Sequence, residues 1–292
     1  MHPGIAYAAL AYVLWGLFPL YFAHLKDVPA TEVLVHRIVW SLVVVLGLLA
    51  WQRRWAWLPA LAGQPRVIGA FVASALLLST NWVVYIWAVA NGHVLDASLG
   101  YFITPLVNVL LGTTVLHERP RRAQWAALAL AALGVVWLTV QGGQLPWIAL
   151  VLAASFGLYG LLRKVAVLGA VEGLALETLL LAAPALVALT LWWGRTPGAF
   201  PNGDVARNLW LIGVGPLTAV PLLLFAAGAR RIPLTTLGLL QYIGPSIQFV
   251  IGVWVFGEPF GAQRLVGFVL IWFALVLYSL DGLRVARRAA SP

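Results

Sequence analysis

The chain has 292 residues, of which 62% are hydrophobic and 9% are charged, and its mean hydropathy is +0.95. Soluble domains contain about 45–50% apolar and about 25% charged residues, so this composition excludes a water-soluble globular protein. It also excludes a disordered chain, which needs few apolar residues and many charges. The net charge of +9 does not point to a nucleic-acid partner, because the distribution of Lys and Arg follows the topology of a membrane protein. Without cysteine, the sequence has neither a disulfide framework nor a thiolate metal site.

Ten apolar segments are each long enough to cross the roughly 30 Å hydrocarbon core of a bilayer as a helix. Their apolar runs are continuous rather than alternating, which favours helices over a β-barrel. The sequence therefore predicts an all-α polytopic membrane protein with ten transmembrane helices. In chain order, the predicted spans are 4–24, 31–51, 67–90, 96–117, 123–141, 146–165, 172–193, 207–228, 235–256 and 263–283.

The 18 Lys and Arg residues are unequally divided between the two sides of this arrangement. Cytoplasmic loops of membrane proteins carry an excess of these residues, so the richer side, which includes the N-terminus, is predicted to be cytoplasmic. Both termini then face the cytoplasm. The poorer side holds Lys26, Arg195, Arg207 and Arg264, and Arg37 lies inside a span. The richer side holds Arg53, Arg54, Arg66, Arg119, Arg121, Arg122, Arg163, Lys164, Arg230, Arg231, Arg284, Arg287 and Arg288.

An internal repeat is visible at a shift of about 140 residues. The segment Gly-Tyr-Phe-Ile-Thr-Pro at 100–105 lies over Leu-Gln-Tyr-Ile-Gly-Pro at 240–245. The match predicts two repeats of five spans each, residues 1–141 and residues 142–292. Because five is odd, the second repeat enters the membrane from the opposite side. Such inverted repeats occur in many secondary transporters, whose substrate site lies near the midplane between the halves.

Two prolines occupy matching positions in the repeats, Pro105 in the fourth span and Pro245 in the ninth. Each removes an intrahelical hydrogen bond and clashes with the preceding turn, which predicts a kink or a break. Gly100 and Gly244 loosen the same stretches. Proline is more frequent in membrane helices in general. Interruptions at corresponding positions of two halves, however, are typical of a transport site.

Aromatic and polar side chains concentrate near these interruptions. Aromatic walls with a few hydrogen-bonding groups are typical of a pocket for a small amphipathic organic molecule. Contact with lipid or packing in the core is the alternative explanation for the aromatic residues. The candidate substrate-binding residues are Trp15, Asn81, Trp82, Tyr85, Tyr101, Asn108, Gln241, Tyr242 and Gln248.

Few ionisable side chains lie within the predicted spans. Arg37, in the second span, costs roughly 2.5–3.5 kcal/mol at a bilayer centre unless it is paired or hydrated. The candidate partners are Glu32 on the same span and Glu177, its repeat counterpart in the seventh. Two interpretations stay open, a fixed ion pair that orients helices and an anion-binding or coupling residue. Glu118 and Glu258, which end the fourth and ninth spans, are expected to hold helix ends rather than to carry protons.

Sequence patterns of enzymes are lacking. The five histidines include no i,i+4 metal pair, and no Asp/Glu cluster has metal-ligand spacing. The phosphate-binding pattern G-x-x-x-x-G-K-[ST] does not occur, which excludes a nucleotide-driven pump. The sequence therefore predicts neither an enzyme activity nor a cofactor.

Specific motifs extend along the whole chain: Leu-Trp-Gly-Leu-Phe-Pro-Leu-Tyr at 14–21, His-Arg-Ile-Val-Trp-Ser at 36–41, Asn-Trp at 81–82, Tyr-Ile-Trp-Ala-Val at 85–89, Ser-Leu-Gly-Tyr-Phe-Ile-Thr-Pro-Leu at 98–106, Leu-Leu-Gln-Tyr-Ile at 239–243 and Phe-Gly-Glu-Pro-Phe at 256–260. With these motifs the sequence resembles the RarD permeases of the EamA group in the drug/metabolite transporter superfamily. The resemblance implies ten helices in two inverted halves. It also implies an inner-membrane location and export of metabolites or drugs through a cavity between the halves.

The repeat, the residues and the resemblance together predict a multi-pass protein of the bacterial inner membrane. We expect a secondary transporter that exports a small amphipathic metabolite or drug by alternating access, driven by an ion gradient, with the proton as candidate coupling ion. Its expected partners are the substrate and membrane lipids. A passive channel or facilitator for small organic solutes is the alternative, and an intramembrane enzyme is a more remote one.

The charge distribution generates a test of topology. A reporter enzyme that is active only in the periplasm should give no signal when it is fused to the C-terminus, because that end is predicted to be cytoplasmic. The same reporter inserted beside Lys26, after the first span, should give a strong signal. A strong signal from the C-terminal fusion would contradict the predicted number of spans.

Overall fold

The computed structural model describes residues 2–61, 63–90, 94–142, 147–192, 200–201, 204–257 and 262–290. Every regular element within these ranges is helical, which confirms the predicted all-α polytopic class. In chain order the helices are α1 (Pro3–Gly16), α2 (Phe18–Phe22), a 3₁₀ turn (Ala23–Leu25), α3 (Ala30–Gln52), α4 (Trp57–Leu61), α5 (Pro65–Ala90), α6 (Val94–Thr114), α7 (Arg122–Gly142), α8 (Trp147–Val165), α9 (Ala170–Trp192), α10 (Val205–Ala229), α11 (Leu234–Gln241), α12 (Ile243–Trp254) and α13 (Ala262–Ala290).

Nine segments in the described part of the chain are long and apolar enough to cross a membrane. They coincide with nine of the ten predicted spans. The remaining predicted span, 96–117, coincides with α6. The count of ten transmembrane helices stays a prediction. The nine segments are Pro3–Leu25, Thr31–Gln52, Pro65–Tyr85, Arg122–Val140, Trp147–Val165, Ala170–Leu191, Val205–Ala229, Leu234–Ile251 and Leu265–Gly282.

Local capping chemistry sets several helix ends. α1 begins with Pro3, whose missing N–H would have no partner in a first turn, and His2 Nδ1 accepts a hydrogen bond from the Gly4 N–H at 3.2 Å. The Asp204 carboxylate caps α10 by accepting a hydrogen bond from the Arg207 N–H at 3.1 Å. Arg53 ends α3 in the left-handed region with φ 52°. These signals place the ends of the helices close to the predicted span boundaries.

The helices do not pack in sequence order. The most extensive pairs are α6 with α8, α7 with α13, α3 with α10 and α1 with α10, followed by α3 with α9, α5 with α8 and α6 with α11. One apolar core joins α1, α3, α5, α8, α9, α10 and α11, and a second core lies among α6, α7, α11 and α13. Almost all of these pairs join a helix before residue 142 to one after it, so the two parts of the chain form a single bundle.

The two proline-containing spans differ in structure. α6 runs continuously through Pro105. Its counterpart is divided at Tyr242 into α11 and α12, and Gly244 and Pro245 lie in the first turn of α12. The first turn of a helix tolerates proline because its N–H groups have no intrahelical acceptor. One residue, Ile243, thus separates the interruption of the ninth span at Tyr242 from its Gly-Pro pair.

The α3–α10 pair meets through a glycine. A Cβ atom at Gly215 would overlap the Cβ of Trp40 and would lie 2.5 Å from its backbone carbon and 2.7 Å from its backbone oxygen. Close approach of backbones at small residues is a common basis of helix association in membranes. At the same crossing, the Ser41 hydroxyl donates a hydrogen bond to the Gly215 carbonyl at 3.2 Å. The crossing fixes the side chains one turn away on each helix.

This crossing can be tested with the smallest side chain. Gly215→Ala should lower the melting temperature of the purified protein, because the added Cβ meets a backbone that cannot move aside; overpacking of this kind costs about 1–3 kcal/mol. Gly47→Ala is the matched control on α3, because nothing lies within 4 Å of its Cβ position. Equal melting temperatures for the two variants would contradict the observed approach of α3 to α10.

Candidate functional site

Arg37 is the centre of the candidate site. It lies on α3 one turn before Ser41, so it faces the same helix, α10. Its Nε donates a hydrogen bond to Thr218 Oγ1 at 3.2 Å, and Thr218 lies one turn after Gly215. On the other side, the guanidinium carbon lies 4.6 Å from the centre of the Trp82 ring. A cation over an indole face is attracted by the ring quadrupole.

Two half-buried tyrosines complete the surroundings of Arg37. Tyr85 on α5 and Tyr101 on α6 lie near its guanidinium. Their rings meet edge to face, with centroids 5.8 Å apart. The structure therefore brings together four predicted site residues and Thr218, contributed by four helices. We call this set, Arg37, Trp82, Tyr85, Tyr101 and Thr218, the arginine site.

Neither predicted partner of Arg37 pairs with it. The Glu32 carboxylate is buried and accepts a hydrogen bond from the Phe200 N–H at 3.2 Å. Glu177 is completely buried and lies 3.6 Å from a guanidinium nitrogen of Arg163. Ser74 donates a short hydrogen bond to the same carboxylate. Among the side chains that the structure describes, no carboxylate lies at ion-pair distance from Arg37.

Arg163, which the charge distribution assigns to the predicted cytoplasmic side, is buried in the bundle. It lies in the last turn of α8 and is 1% exposed. Its guanidinium also donates hydrogen bonds to the carbonyls of Gly169 at 3.4 Å and Ala170 at 3.0 Å. The buried carboxylate of Glu177 attracts it inward, because an arginine at a span end has a side chain long enough to reach a partner in the bundle.

Asn81 acts as a link between helices. Its side-chain N–H groups donate hydrogen bonds to the Leu152 carbonyl at 3.0 Å and to Ser155 Oγ at 3.1 Å. Both acceptors lie on α8, so Asn81 joins α5 to α8. The side chain is 4% exposed, and its donors are occupied within the protein. The assignment of Asn81 to substrate binding stays a prediction.

Five aromatic side chains form a second feature, deeper along the bundle. Trp15 on α1 lies 5.6 Å from Phe225 on α10 and 5.7 Å from Phe156 on α8, measured between ring centres. Tyr12 and Tyr159 contact the same rings. Phe225 follows Thr218 by seven residues, so this aromatic cluster lies roughly 10 Å further along α10 than the arginine site. The cluster fills the space between α1, α8 and α10.

The remaining predicted polar residues are engaged in contacts between helices. Asn108 donates a hydrogen bond to Gln241 Oε1 at 3.1 Å, across α6 and α11. Gln248 donates a hydrogen bond to the Trp15 carbonyl at 3.0 Å, across α12 and α1. Both Asn108 and Gln241 are buried, and Gln248 is half-buried. These bonds satisfy polar groups that lipid would leave without partners.

Tyr242 lies in different surroundings from Tyr101. It is 0% exposed, belongs to the second core and stacks against Phe102 with ring centroids 6.4 Å apart. Its buried hydroxyl has no hydrogen-bond partner in the structure. The sequence places Tyr101 and Tyr242 among the residues expected to line one cavity. In the structure, Tyr242 is a packed core residue.

The glycines and prolines predicted to act as hinges lie at close helix contacts. A Cβ atom at Gly100 would lie 2.9 Å from Leu152 Cβ and 3.1 Å from the Ala149 carbonyl on α8. A Cβ atom at Gly238 on α11 would lie 2.8 Å from the Pro105 carbonyl on α6. Gly244 is buried, and a Cβ atom added to it would lie 3.3 Å from the Tyr12 carbonyl oxygen on α1. The stretches around the two prolines are therefore also places where helices approach each other closely.

A polar cluster closes one end of the bundle. The Glu118 carboxylate accepts hydrogen bonds from the N–H groups of Leu234 at 2.6 Å and Thr235 at 2.9 Å, so it caps α11. This confirms the expectation that Glu118 holds a helix end, whereas Glu258 lies outside the described residues. Lys164 donates hydrogen bonds to the Ala229 carbonyl at 3.3 Å and the Ile232 carbonyl at 2.5 Å, near the end of α10. Lys164 and Glu118 are 3.8 Å apart. We call Glu118, Lys164 and their backbone partners the polar cluster.

Sequence reasoning missed Thr218, Arg163 and most of the aromatic cluster. Thr218 follows Gly215 by three residues, and this small-residue spacing on one helix face is the signal that could have marked it. Arg163 carried no such signal, because its position at a span end is typical of an ordinary interfacial cation. Among the described residues, no group of three or more His, Cys, Asp or Glu could hold a metal ion.

The chain is similar to proteins named RarD over almost its whole length. The sequence model of the EamA-like transporter family matches residues 2–140. Protein RarD of Streptomyces exfoliatus is 48% identical over 98% of this chain and 91% of that protein. Protein RarD of Escherichia coli (strain K12) is 42% identical over 98% and 97% of the two chains. Chloramphenicol-sensitive protein RarD of Pseudomonas aeruginosa is 33% identical, with the same coverage of 98% and 97%.

The fold also matches a solved crystal structure. That protein is 20% identical in sequence, and the two structures have a TM-score of 0.71 over 95% of this chain and 97% of the other. At this identity, the likeness concerns the fold alone.

The different surroundings of two tyrosines give a testable difference in stability. Tyr242→Ala should lower the melting temperature strongly, because truncation of a large aromatic residue in a core costs about 3–5 kcal/mol in soluble proteins. Tyr242→Phe should leave the melting temperature unchanged or raise it, since the lost hydroxyl has no partner. Tyr101→Ala should have a small effect, because that side chain is half-buried beside Arg37. A larger loss from Tyr101→Ala than from Tyr242→Ala would contradict the assigned surroundings.

Proposed function

The chain belongs to the EamA-like transporter family, and from that premise we propose that it is a secondary transporter that exports a small amphipathic metabolite or drug by alternating access. Its relatives show that it is a membrane transporter of the EamA/RarD family, which is a family of transporters and not of enzymes. The export direction, the ion coupling, the bacterial inner-membrane location and the cytoplasmic termini are parts of the proposal.

The arginine site is the observation that carries the proposal. A charged side chain within a span is costly, and in membrane proteins it marks a substrate or ion pathway or is paired inside the bundle. Here the charge on α3 is surrounded by three aromatic rings and a hydroxyl from α5, α6 and α10. Such a combination of apolar walls and convergent polar groups suits a small amphipathic ligand.

The pattern of helix pairs supports the proposed inverted repeats, residues 1–141 and 142–292. If the helices of the two repeats are exchanged in sequence order, the α1–α10 pair corresponds to α5–α8, and α3–α10 corresponds to α5–α9. The pairs α3–α9, α6–α11 and α7–α13 correspond to themselves. All of these pairs are in contact. A bundle of this kind has a pseudo-two-fold axis, around which two equivalent openings can alternate.

The positions of the three features along α10 support a transporter that is closed at one end. Thr218 belongs to the arginine site, Phe225 to the aromatic cluster, and the chain beyond Ala229 to the polar cluster. The last two features lie on the side that the charge distribution predicts to be cytoplasmic. In the proposed cycle, the aromatic and polar clusters separate to admit substrate from the cytoplasm and close again before release on the other side.

Accumulation against a gradient tests the proposal. Inside-out membrane vesicles that contain the protein, with an acidic interior, should accumulate a labelled substrate above its outside concentration, because a proton antiporter exchanges inside protons for outside substrate. Chloramphenicol is the first probe, since one relative is named for sensitivity to it. Labelled small aromatic acids and their amides complete the panel. An uncoupler should abolish the accumulation.

Two variants serve as matched controls for that experiment. Tyr101→Ala should reduce accumulation by tenfold or more, because it removes a wall of the arginine site. Trp125→Ala, on the exposed face of α7, should leave it unchanged. Equilibration of the probes without accumulation, at the same rate with and without the proton gradient, would favour a passive facilitator and contradict the proposal.

A further inference from the structure

We infer that the arginine site recognises the anionic group of its substrate, and that the substrate is a small organic anion in which a carboxylate is attached to a flat apolar or aromatic body. The inference rests on the proposed function, because it names the substrate class of the same site. It starts from the charge of Arg37, which the described residues leave without a counter-ion.

The two arginines inside the bundle differ in whether a carboxylate is paired with them. Arg163 is 1% exposed and has the buried carboxylate of Glu177 at 3.6 Å. Arg37 is half-buried, and its hydrogen-bond partner among the described residues is the neutral hydroxyl of Thr218. An indole face attracts a cation by only about 0.5–2 kcal/mol, so Trp82 does not replace a counter-ion. The charge of Arg37 is therefore available to a group that enters from outside.

The difference between a paired and an unpaired charge also appears when matching positions of the proposed repeats are compared. Glu177 occupies the position that corresponds to Arg37 in the second repeat, at a shift of 140 residues. Its charge is neutralised within the bundle by Arg163 and is bound by Ser74. The two matching positions thus carry opposite charges, and only the one at Arg37 is open. A purely structural pair of charges would be expected to have partners in both halves.

The orientation of Arg37 suits a carboxylate. Its Nε is occupied by Thr218, which fixes the plane of the guanidinium and leaves the two terminal nitrogens without a hydrogen bond to any described residue. Two parallel N–H donors match the two oxygens of a carboxylate in a bidentate pair. The hydroxyls of Tyr85 and Tyr101 add two further donors near the same charge. An anion placed here would replace the hydration that Arg37 otherwise requires.

The walls of the site define the rest of the substrate. Trp82, Tyr85 and Tyr101 present aromatic surface, and the two tyrosine rings are packed edge to face at 5.8 Å. A flat apolar or aromatic body can stack on such rings, whereas a sugar or another strongly polar body would lose hydration without gaining partners. An organic cation is disfavoured, because it would face the unneutralised charge of Arg37.

The test compares acids with amides of nearly the same shape. Benzoate, phenylacetate and indole-3-acetate are titrated, each beside its neutral amide, against the purified protein, and binding is measured by calorimetry. At least one acid should bind tenfold or more tightly than its amide. Arg37→Gln should abolish this preference, and Arg37→Lys should retain part of it because the charge remains. Arg121→Gln, a change at an exposed residue paired with Asp281, should have no effect.

The outcomes separate this inference from the proposed function. If no acid binds more tightly than its amide to the unmodified protein, or if the preference survives in Arg37→Gln, the inference is overturned. The first comparison needs no variant, and if Arg37→Gln does not fold, Thr218→Val takes its place with an expected weakening of acid binding alone. Accumulation of chloramphenicol without any preference for acids would leave the transporter standing and overturn the anion site. Binding of acids through Arg37 without accumulation of any probe would support the anion site and contradict the proposed transport function.

Discussion

In the apolar interior of a membrane, every polar group has to find its partner inside the protein, and this constraint explains most of the contacts in the bundle. Asn81 donates hydrogen bonds to α8, Asn108 pairs with Gln241, and Gln248 reaches a carbonyl on α1. Each bond joins two helices, so satisfying a polar side chain and fixing a helix position are the same event. Two residues in the described part of the chain depart from this rule in ways that matter here: the Tyr242 hydroxyl has no partner, and the charge of Arg37 has only a hydroxyl and an aromatic face beside it.

The regularity of the spans made the helices predictable. Continuous apolar runs, prolines at the first turn of α1 and α5 and the basic residues that follow α3 all indicate helix positions without knowledge of any contact. The same holds for Glu118, because a carboxylate just beyond a span end can reach only exposed backbone groups. Nine of the predicted spans coincide with helices that are long and apolar enough to cross a membrane, while the proposed inverted relationship of the halves depends on contacts that no single segment encodes.

The candidate site was predictable only in part. The aromatic and charged residues of the arginine site were visible because such side chains are rare in the middle of a span, yet their partners were not. Glu177 pairs with Arg163 because α8 and α9 are joined by a short turn that brings the end of one beside the start of the other. Tyr242 was predicted to line the same pocket as Tyr101, but the second core encloses it. Burial depends on which helices become neighbours, and a sequence shift of 140 residues does not contain that information.

Glu118, which follows α6, is tied to α11 through two backbone N–H groups that α11 cannot satisfy itself. In the proposed cycle these bonds exist only while that end is closed, so they set the resting ratio of the two conformers. Such a bond makes no contact with the substrate. It nevertheless changes the apparent affinity measured from either side, because the apparent Kd depends on the populated fraction of the conformer that binds. Natural variation at position 118 would consequently change the balance between tight binding and rapid turnover while leaving the choice of substrate as it is.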